Sequence, residues 1–383
     1  MIPVNEPVLG PLEEEYVLQC VRTGWISSAG SFLERFEENF ARWCGRRFGV
    51  AVSNGTVALE LALECLDLKD GDEVILPTFT IISCLQAVVY AGGTPVLVDA
   101  DPATWCVKPD EVARRVSPRT RAVMPVHIYG HPVDMDPLME LAERRGIAVI
   151  EDAAEAHGAE YLRGWRNGGT GWVRCGSFGQ MSCFSFYANK VITTGEGGMV
   201  LTDDAALAER LRSRRNLCFQ PRRRFLHDEL GHNFRLTNLQ AALGVAQLER
   251  VDEIVARKRA IGAGYTASLS GIDGVQLPIE ASWARSIYWM YGMVLDEATG
   301  WDAESAAGHL KDQGIETRPF FLGMHAQPVV RSRWPQGEAF PVADRLAKQG
   351  LYLPSGLALT DEQLARVSEA VRHMMKRRPG KLL

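Results

Sequence analysis

The chain has 383 residues, long for one compact core, and its 46% apolar and 23% charged content is that of an ordinary globular protein. A formal net charge of −5 argues against a nucleic-acid binder, which needs a basic footprint, and the basic runs at 222–224 and 376–378 read as solvated surface. No run of about 18 uncharged apolar residues is present to cross a membrane, and residues 1–11 lack the apolar stretch of a secretory signal. Eight scattered cysteines without a Cys-x-x-Cys pair read as buried reduced thiols of a cytoplasmic protein.

Residues 49–53 read as a strand and 56–66 as a helix apolar almost all round, hence buried. Strands at 73–76, 95–99, 121–127 and 147–151 then alternate with helices at 81–90 and 136–145, and strands at 183–187 and 199–202 follow. This alternation predicts a mostly parallel or mixed sheet covered on both faces, with ligands gathered at the loops beyond the strand ends. Residues 237–268 form a long helical pattern interrupted by Gly262 and Gly264. Beyond it, 288–295, 315–318 and 351–353 look like strands, and 360–372 like a helix opened by a Thr360/Gln363 capping box. The prediction is an α/β protein with a large unit over 1–250 and a smaller α+β unit over 251–383.

Four local features carry chemistry. Ser53-Asn54-Gly55-Thr56 joins a strand to a helix N-terminus, where free amides suit a phosphate, although an ordinary turn and cap would look the same. Glu151, Asp152 and Glu155 crowd the end of an apolar strand, a costly arrangement unless they are paired or functional. An aspartate there could hold a protonated heteroaromatic nitrogen, the alternatives being a loop facing water or a metal site. Metal is disfavoured, because Gly130 and Pro132 break any helix that would align His127 with His131. Lys190 follows the aromatic run 183–187 and precedes the glycine-rich 193–198, a setting that favours a lowered amine pKa unless the side chain is simply solvated. Residues 231–238 are a polar turn that also reads as plain capping by Thr237.

Taken in order, SNGT, PTFT, EDAAEAHGAE, SCFSFYANK, TTGEGG and GHNFRLTNLQAA resemble the DegT/DnrJ/EryC1/StrS family of nucleotide-sugar aminotransferases, over nearly the whole chain. The resemblance implies the fold of type I pyridoxal-phosphate enzymes and pyridoxal 5′-phosphate as cofactor, converted to pyridoxamine 5′-phosphate in the half-reaction. It implies that Lys190 holds the cofactor and shuttles the proton, and that Asp152 keeps the ring nitrogen protonated. Phe79 would stack on the ring, the amides of Gly55, Thr56 and Val57 with the Ser185 hydroxyl would hold the phosphate, and Glu155 would meet the 3′-oxygen or its support. Asn233 would reach the same phosphate from a second subunit, giving a homodimer with shared sites. Trp25, Ser27, Tyr187, Arg318 and His325 would contact substrate.

The segments GWISS, HIYGHP and RPFF are most similar to members that aminate C4 of GDP-4-keto-6-deoxymannose with L-glutamate as donor. Thymidine- or uridine-linked sugars and C3 amination remain alternatives, and O-antigen and antibiotic sugars both use this chemistry. A dehydratase of the same fold carries histidine in place of Lys190, and a sugar-sensing binder would have no use for a reactive amine. The stretch 162–174 (LRGWRNGGTGWVR) is longer than the family's usual turn, so it is either a lid over substrate or a surface loop.

Overall fold

A computed structural model describes residues 1–220 and 222–377, which leaves Arg378 of the basic tail outside the described residues. In chain order the first nine strands are β1 (Phe48–Val52), β2 (Glu73–Pro77), β3 (Thr94–Val98), β4 (Thr120–Val123), β5 (Ala148–Asp152), β6 (Glu160–Arg163), β7 (Gly171–Arg174), β8 (Met181–Ser185) and β9 (Gly198–Thr202). Seven of them form one sheet in the order β1-β9-β8-β5-β4-β2-β3. The pairs β2–β3, β2–β4, β4–β5 and β5–β8 are parallel, while β9 runs antiparallel to both β8 and β1. Every residue of β2, β5, β8 and β9 is buried, as expected of strands covered on both faces. The helix Gly55–Glu64 packs its Ala58, Leu59, Leu61, Ala62 and Leu63 into that core.

The remaining strands are β10 (Val275–Gln276), β11 (Ala284–Arg285), β12 (Tyr291–Leu295), β13 (Arg318–Pro319) and β14 (Gly350–Leu353). Four of them make a second sheet, β10-β12-β14-β13, and β11 joins β6 and β7 in a third. A smaller core of Tyr265, Tyr291, Leu310, Leu353 and Val371 lies on the second sheet and takes in Ile2 from the N-terminus. Conversely Ile287, Trp289, Phe320 and Leu346 belong to the larger core, so the two cores interleave along the chain.

Several boundaries differ from the sequence reading. The long helical pattern divides at Arg250, between helices Asn238–Glu249 and Val251–Leu269, and Gly262 and Gly264 lie inside the second. Gly262 is there for contact, since a Cβ would sit 2.5 Å from the Tyr288 ring. β4 stops at Val123, two residues before Pro125, and β12 begins only at Tyr291 because Tyr288 adopts a left-handed φ of 48°. The stretch 162–174 folds into the β6–β7 hairpin. Trp165 stacks on Trp283 at 4.8 Å, Arg285 lies 4.0 Å from the Trp172 ring, and none of the stretch lines the cavity of its own chain described next.

Candidate active site

Beyond the C-terminal ends of β5 and β8 lies a cavity of about 760 Å³. Its wall includes Gly55, Thr56 and Val57 from one helix, Asp152 at the end of β5 with Glu155 from the loop beyond, and Ser185 at the end of β8 with Tyr187 and Lys190 from the loop beyond. A second groove of about 770 Å³, bordered by Asp136, Glu140, Arg163 and Arg166, opens at the other ends of these strands and holds no lysine.

The helix Gly55–Glu64 points its N-terminus at the cavity. Asn54 Oδ1 accepts the Val57 amide at 3.0 Å and the Asn54 carbonyl accepts that of Ala58, so Gly55 and Thr56 keep the unclaimed amides of the first turn among the described residues. Val57, expected to offer its amide to a phosphate, spends it on this cap. Gly55 must be glycine, because a Cβ would stand 2.6 Å from Ser185 Cβ. The Thr56 and Ser83 hydroxyls meet at 3.0 Å beside it. Two free amides, the helix dipole and the Ser185 hydroxyl make an anion cradle.

The three acids at and beyond the end of β5 separate by role. Glu151 turns away and is fully satisfied: His127 Nε2 donates to its Oε1 at 2.7 Å, and the Gly176 and Phe178 amides at 2.5 and 2.9 Å. The Val133 amide donates to His127 Nδ1, which assigns the ring proton to Nε2. His127, Glu151 and Cys175 stand close enough to share an ion, but these bonds already occupy the histidine and the carboxylate.

Asp152 faces the cavity. It is buried, with the Ala154 amide donating to Oδ1 at 3.0 Å and the Cys84 thiol to Oδ2 at 3.1 Å. Burial raises its pKa despite these bonds and the Lys190 charge. A carboxylate so placed lacks a close cation, and the protonated ring nitrogen of a pyridine is a group that would supply one. Glu155 accepts the Tyr129 amide on Oε2 at 2.7 Å, and burial raises its pKa to about 7. Lys190 Nζ sits 4.0 Å from Glu155 Oε1 and 3.7 Å from the centre of the Trp289 ring. Burial lowers the pKa of the lysine, with Glu155 and Asp152 pulling the other way. A buried amine whose pKa burial lowers, a buried carboxylate and an anion cradle, all lining one cavity, fit pyridoxal 5′-phosphate.

Other residues expected at the site stand elsewhere. Phe79 has no exposed surface; its ring packs against Tyr129, Phe320 and Phe321, and Ile81, 45% exposed, lines the cavity in its place. Arg318 is exposed and pairs with Glu316 at 3.4 Å, so the RPFF segment contributes Phe321 to the wall. His325 bonds Thr78 and Asp344 and stacks on Phe340 behind the wall. Trp25, Ser27 and Asn233 are exposed and outside the cavity of their own chain. They form one patch: Asn238 donates its side chain to the Trp25 carbonyl at 2.8 Å and its amide to that of Ser27 at 2.6 Å, and Asn233 bridges to Asn216, which shares a pocket with Ser27. Sequence reasoning missed Tyr129, Trp289 and Tyr352. Their aromatic signal was present, but only tertiary contact shows that Tyr129 fixes Glu155 and that Trp289 lies against Lys190.

A profile described as the DegT/DnrJ/EryC1/StrS aminotransferase family matches residues 8–372. A GDP-perosamine synthase of Caulobacter vibrioides is 42% identical over 376 residues, covering 98% of each chain. One from Escherichia coli O157:H7 is 40% identical over 370 residues, covering 97% of each. Among solved structures, DesV of S. venezuelae superimposes with a TM-score of 0.87 at 36% identity, over 95% of this chain and 94% of its own.

Proposed function

The chain belongs to the DegT/DnrJ/EryC1/StrS aminotransferase family and is a pyridoxal-phosphate-dependent transaminase. From that premise we propose that it moves the amino group of L-glutamate to C4 of GDP-4-keto-6-deoxymannose, giving GDP-perosamine. The observation that carries the reading is the convergence of Lys190, Asp152 and Glu155 on one cavity beside the Gly55–Ser185 cradle. Similarity to GDP-perosamine synthases over almost the full length supports the choice of sugar.

When bound, the cofactor supplies an aldehyde carbon that takes the amino group and a ring that accepts the electron pair left at the donor carbon. The chain does the rest. Gly55, Thr56 and Ser185 hold the phosphate, and Asp152 holds the proton on the ring nitrogen. Lys190 would hold the cofactor and would serve as the base that takes the proton from the donor Cα. Glu155, anchored by the Tyr129 amide, fixes the ring's 3′-oxygen and faces the lysine. Ile81 and Tyr187 line the same cavity, where they would border the cofactor and the substrate.

The reading includes a homodimer in which the Trp25–Ser27–Asn233 patch completes the partner's cavity. Lys190→Ala and Asn233→Ala subunits, each inactive alone, are then expected to regain about a quarter of wild-type activity on random mixing, because half the dimers carry one intact site. Activity that stays at baseline after verified subunit exchange would mean that each site lies within one chain. No described helix is long and apolar enough to cross a membrane, and a cytoplasmic location accords with eight buried, free thiols.

The sugar is tested by specificity constants with glutamate for GDP-, thymidine- and uridine-linked 4-keto-6-deoxy sugars. The guanosine sugar is expected to lead. A rival turned over more than about tenfold better, roughly 1.4 kcal/mol in transition-state binding, removes the perosamine assignment and leaves the transaminase.

A further inference from the structure

Lys258 is a second buried lysine that the reaction does not use. It projects from helix Val251–Leu269, is 2% exposed, and forms no ion pair among the described residues. Its Nζ donates instead to two main-chain carbonyls, of Trp289 at 2.9 Å and of Ser355 at 2.5 Å. These carbonyls lie just outside the paired strands β12 and β14, so one side chain ties the long helix to the end of the second sheet. Burial brings its pKa down to about 7, and the two N–H groups of a neutral amine match the two acceptors.

Trp289 connects this clamp to the chemistry. Its indole Nε1 donates to the carbonyl of Asn189, the residue before Lys190, at 2.8 Å, and its ring centre lies 3.7 Å from Lys190 Nζ. Lys190, Lys258 and Trp289 also border one small enclosed space beside Asn5 and Pro7. We propose that Lys258 is a positioning residue for the reactive amine, clamping the Trp289 main chain so that the indole stays under Lys190 Nζ. Without it the Trp289 and Ser355 carbonyls lose their donor, the indole is free to shift, and the amine loses a platform that favours its charged form.

The inference rests on Lys190 being the reactive amine and is independent of the sugar. Its test reads the cofactor-free protein: the pH dependence of Lys190 modification by an amine-directed acylating reagent, followed by peptide mass spectrometry. In Lys258→Met the Lys190 midpoint is expected to fall by roughly half a pH unit, making modification about threefold faster at fixed pH below it. Asp152, Glu155, Cys84 and His157, the titratable groups that act on Lys190 or are acted on by it, are unchanged in that variant. Trp289→Leu is expected to give the same shift, and the double variant no more than either alone. In the loaded enzyme turnover falls while KM for glutamate holds. A lowered melting temperature with an unmoved Lys190 midpoint, or additive shifts in the double variant, overturns the proposal. If Lys258→Met does not fold, Lys258→Leu, which likewise offers no donor to the two carbonyls, is read by the same criteria. A Lys190 no more reactive than surface lysines in the unsubstituted protein counts against the assigned amine itself, a separate failure.

Discussion

Lys190→Ala is expected to lower turnover by roughly 10⁴-fold or more, because one group both carries the cofactor and moves the proton. Among the described residues two lysines have amines shifted down by burial, Lys190 and Lys258, and their surroundings separate them. Lys190 stands in the wall of the 760 Å³ cavity with Asp152 and Glu155. Lys258 has both carbonyl acceptors filled and touches only the small space behind Trp289. Borohydride reduction of the loaded enzyme, followed by peptide mapping, should therefore tag Lys190 alone. Cofactor is still expected to bind Lys190→Ala reversibly, since the amides of Gly55 and Thr56 and the Ser185 hydroxyl remain. A tag on Lys258, or turnover in Lys190→Ala within tenfold of wild type, would remove Lys190 from its role.

How much of this site could be read from the chain depended on how local each signal was. The helix N-terminus at Asn54–Thr56 was legible because a cap is written in consecutive residues, and so were the capping boxes at Thr237 and Thr360. That the acids at the end of β5 matter was also legible. Asp152 and Glu155 were named there, but that Glu151 turns away was not legible, because it is held by His127 and by the Gly176 and Phe178 amides, all remote in sequence. Phe79 and Ile81 show the same limit: both are apolar and two residues apart, and only packing against Tyr129, Phe320 and Phe321 decides which is sealed inside. Gly262 misled because a glycine that breaks a helix and one that admits a neighbouring ring have the same signature in sequence. The sheet followed from its alternating apolar runs. The interleaving of the two cores did not, since Ile2 and Phe320 pack far from their sequence neighbours.

Asp152→Asn is expected to keep the fold and the cofactor and to lose roughly 10²- to 10⁴-fold in turnover. The amide has the carboxylate's shape, so its oxygen can go on accepting the Ala154 amide at the Oδ1 position. The other half of the side chain changes sign. Where Oδ2 accepts the Cys84 thiol at 3.1 Å, an amide nitrogen presents hydrogens and has no lone pair for a protonated ring nitrogen. The ring nitrogen then loses its counter-charge in a buried setting, where an unpaired charge is most costly, and it gives up its proton. A neutral ring is a poorer acceptor for the electron pair left at the donor carbon, so the loss falls on proton removal from glutamate rather than on binding. Burial raises the Asp152 pKa, with the Ala154 amide, the Cys84 thiol and the Lys190 charge pulling the other way. Single-turnover reaction with glutamate should accordingly slow in Asp152→Asn, with an enlarged isotope effect from deuterium at the donor Cα, while the half-saturating cofactor concentration changes by less than about tenfold. Near-normal single-turnover rates would show that the ring nitrogen needs no charge from Asp152. Normal rates per bound cofactor combined with lost cofactor affinity would instead make Asp152 an anchor for the ring.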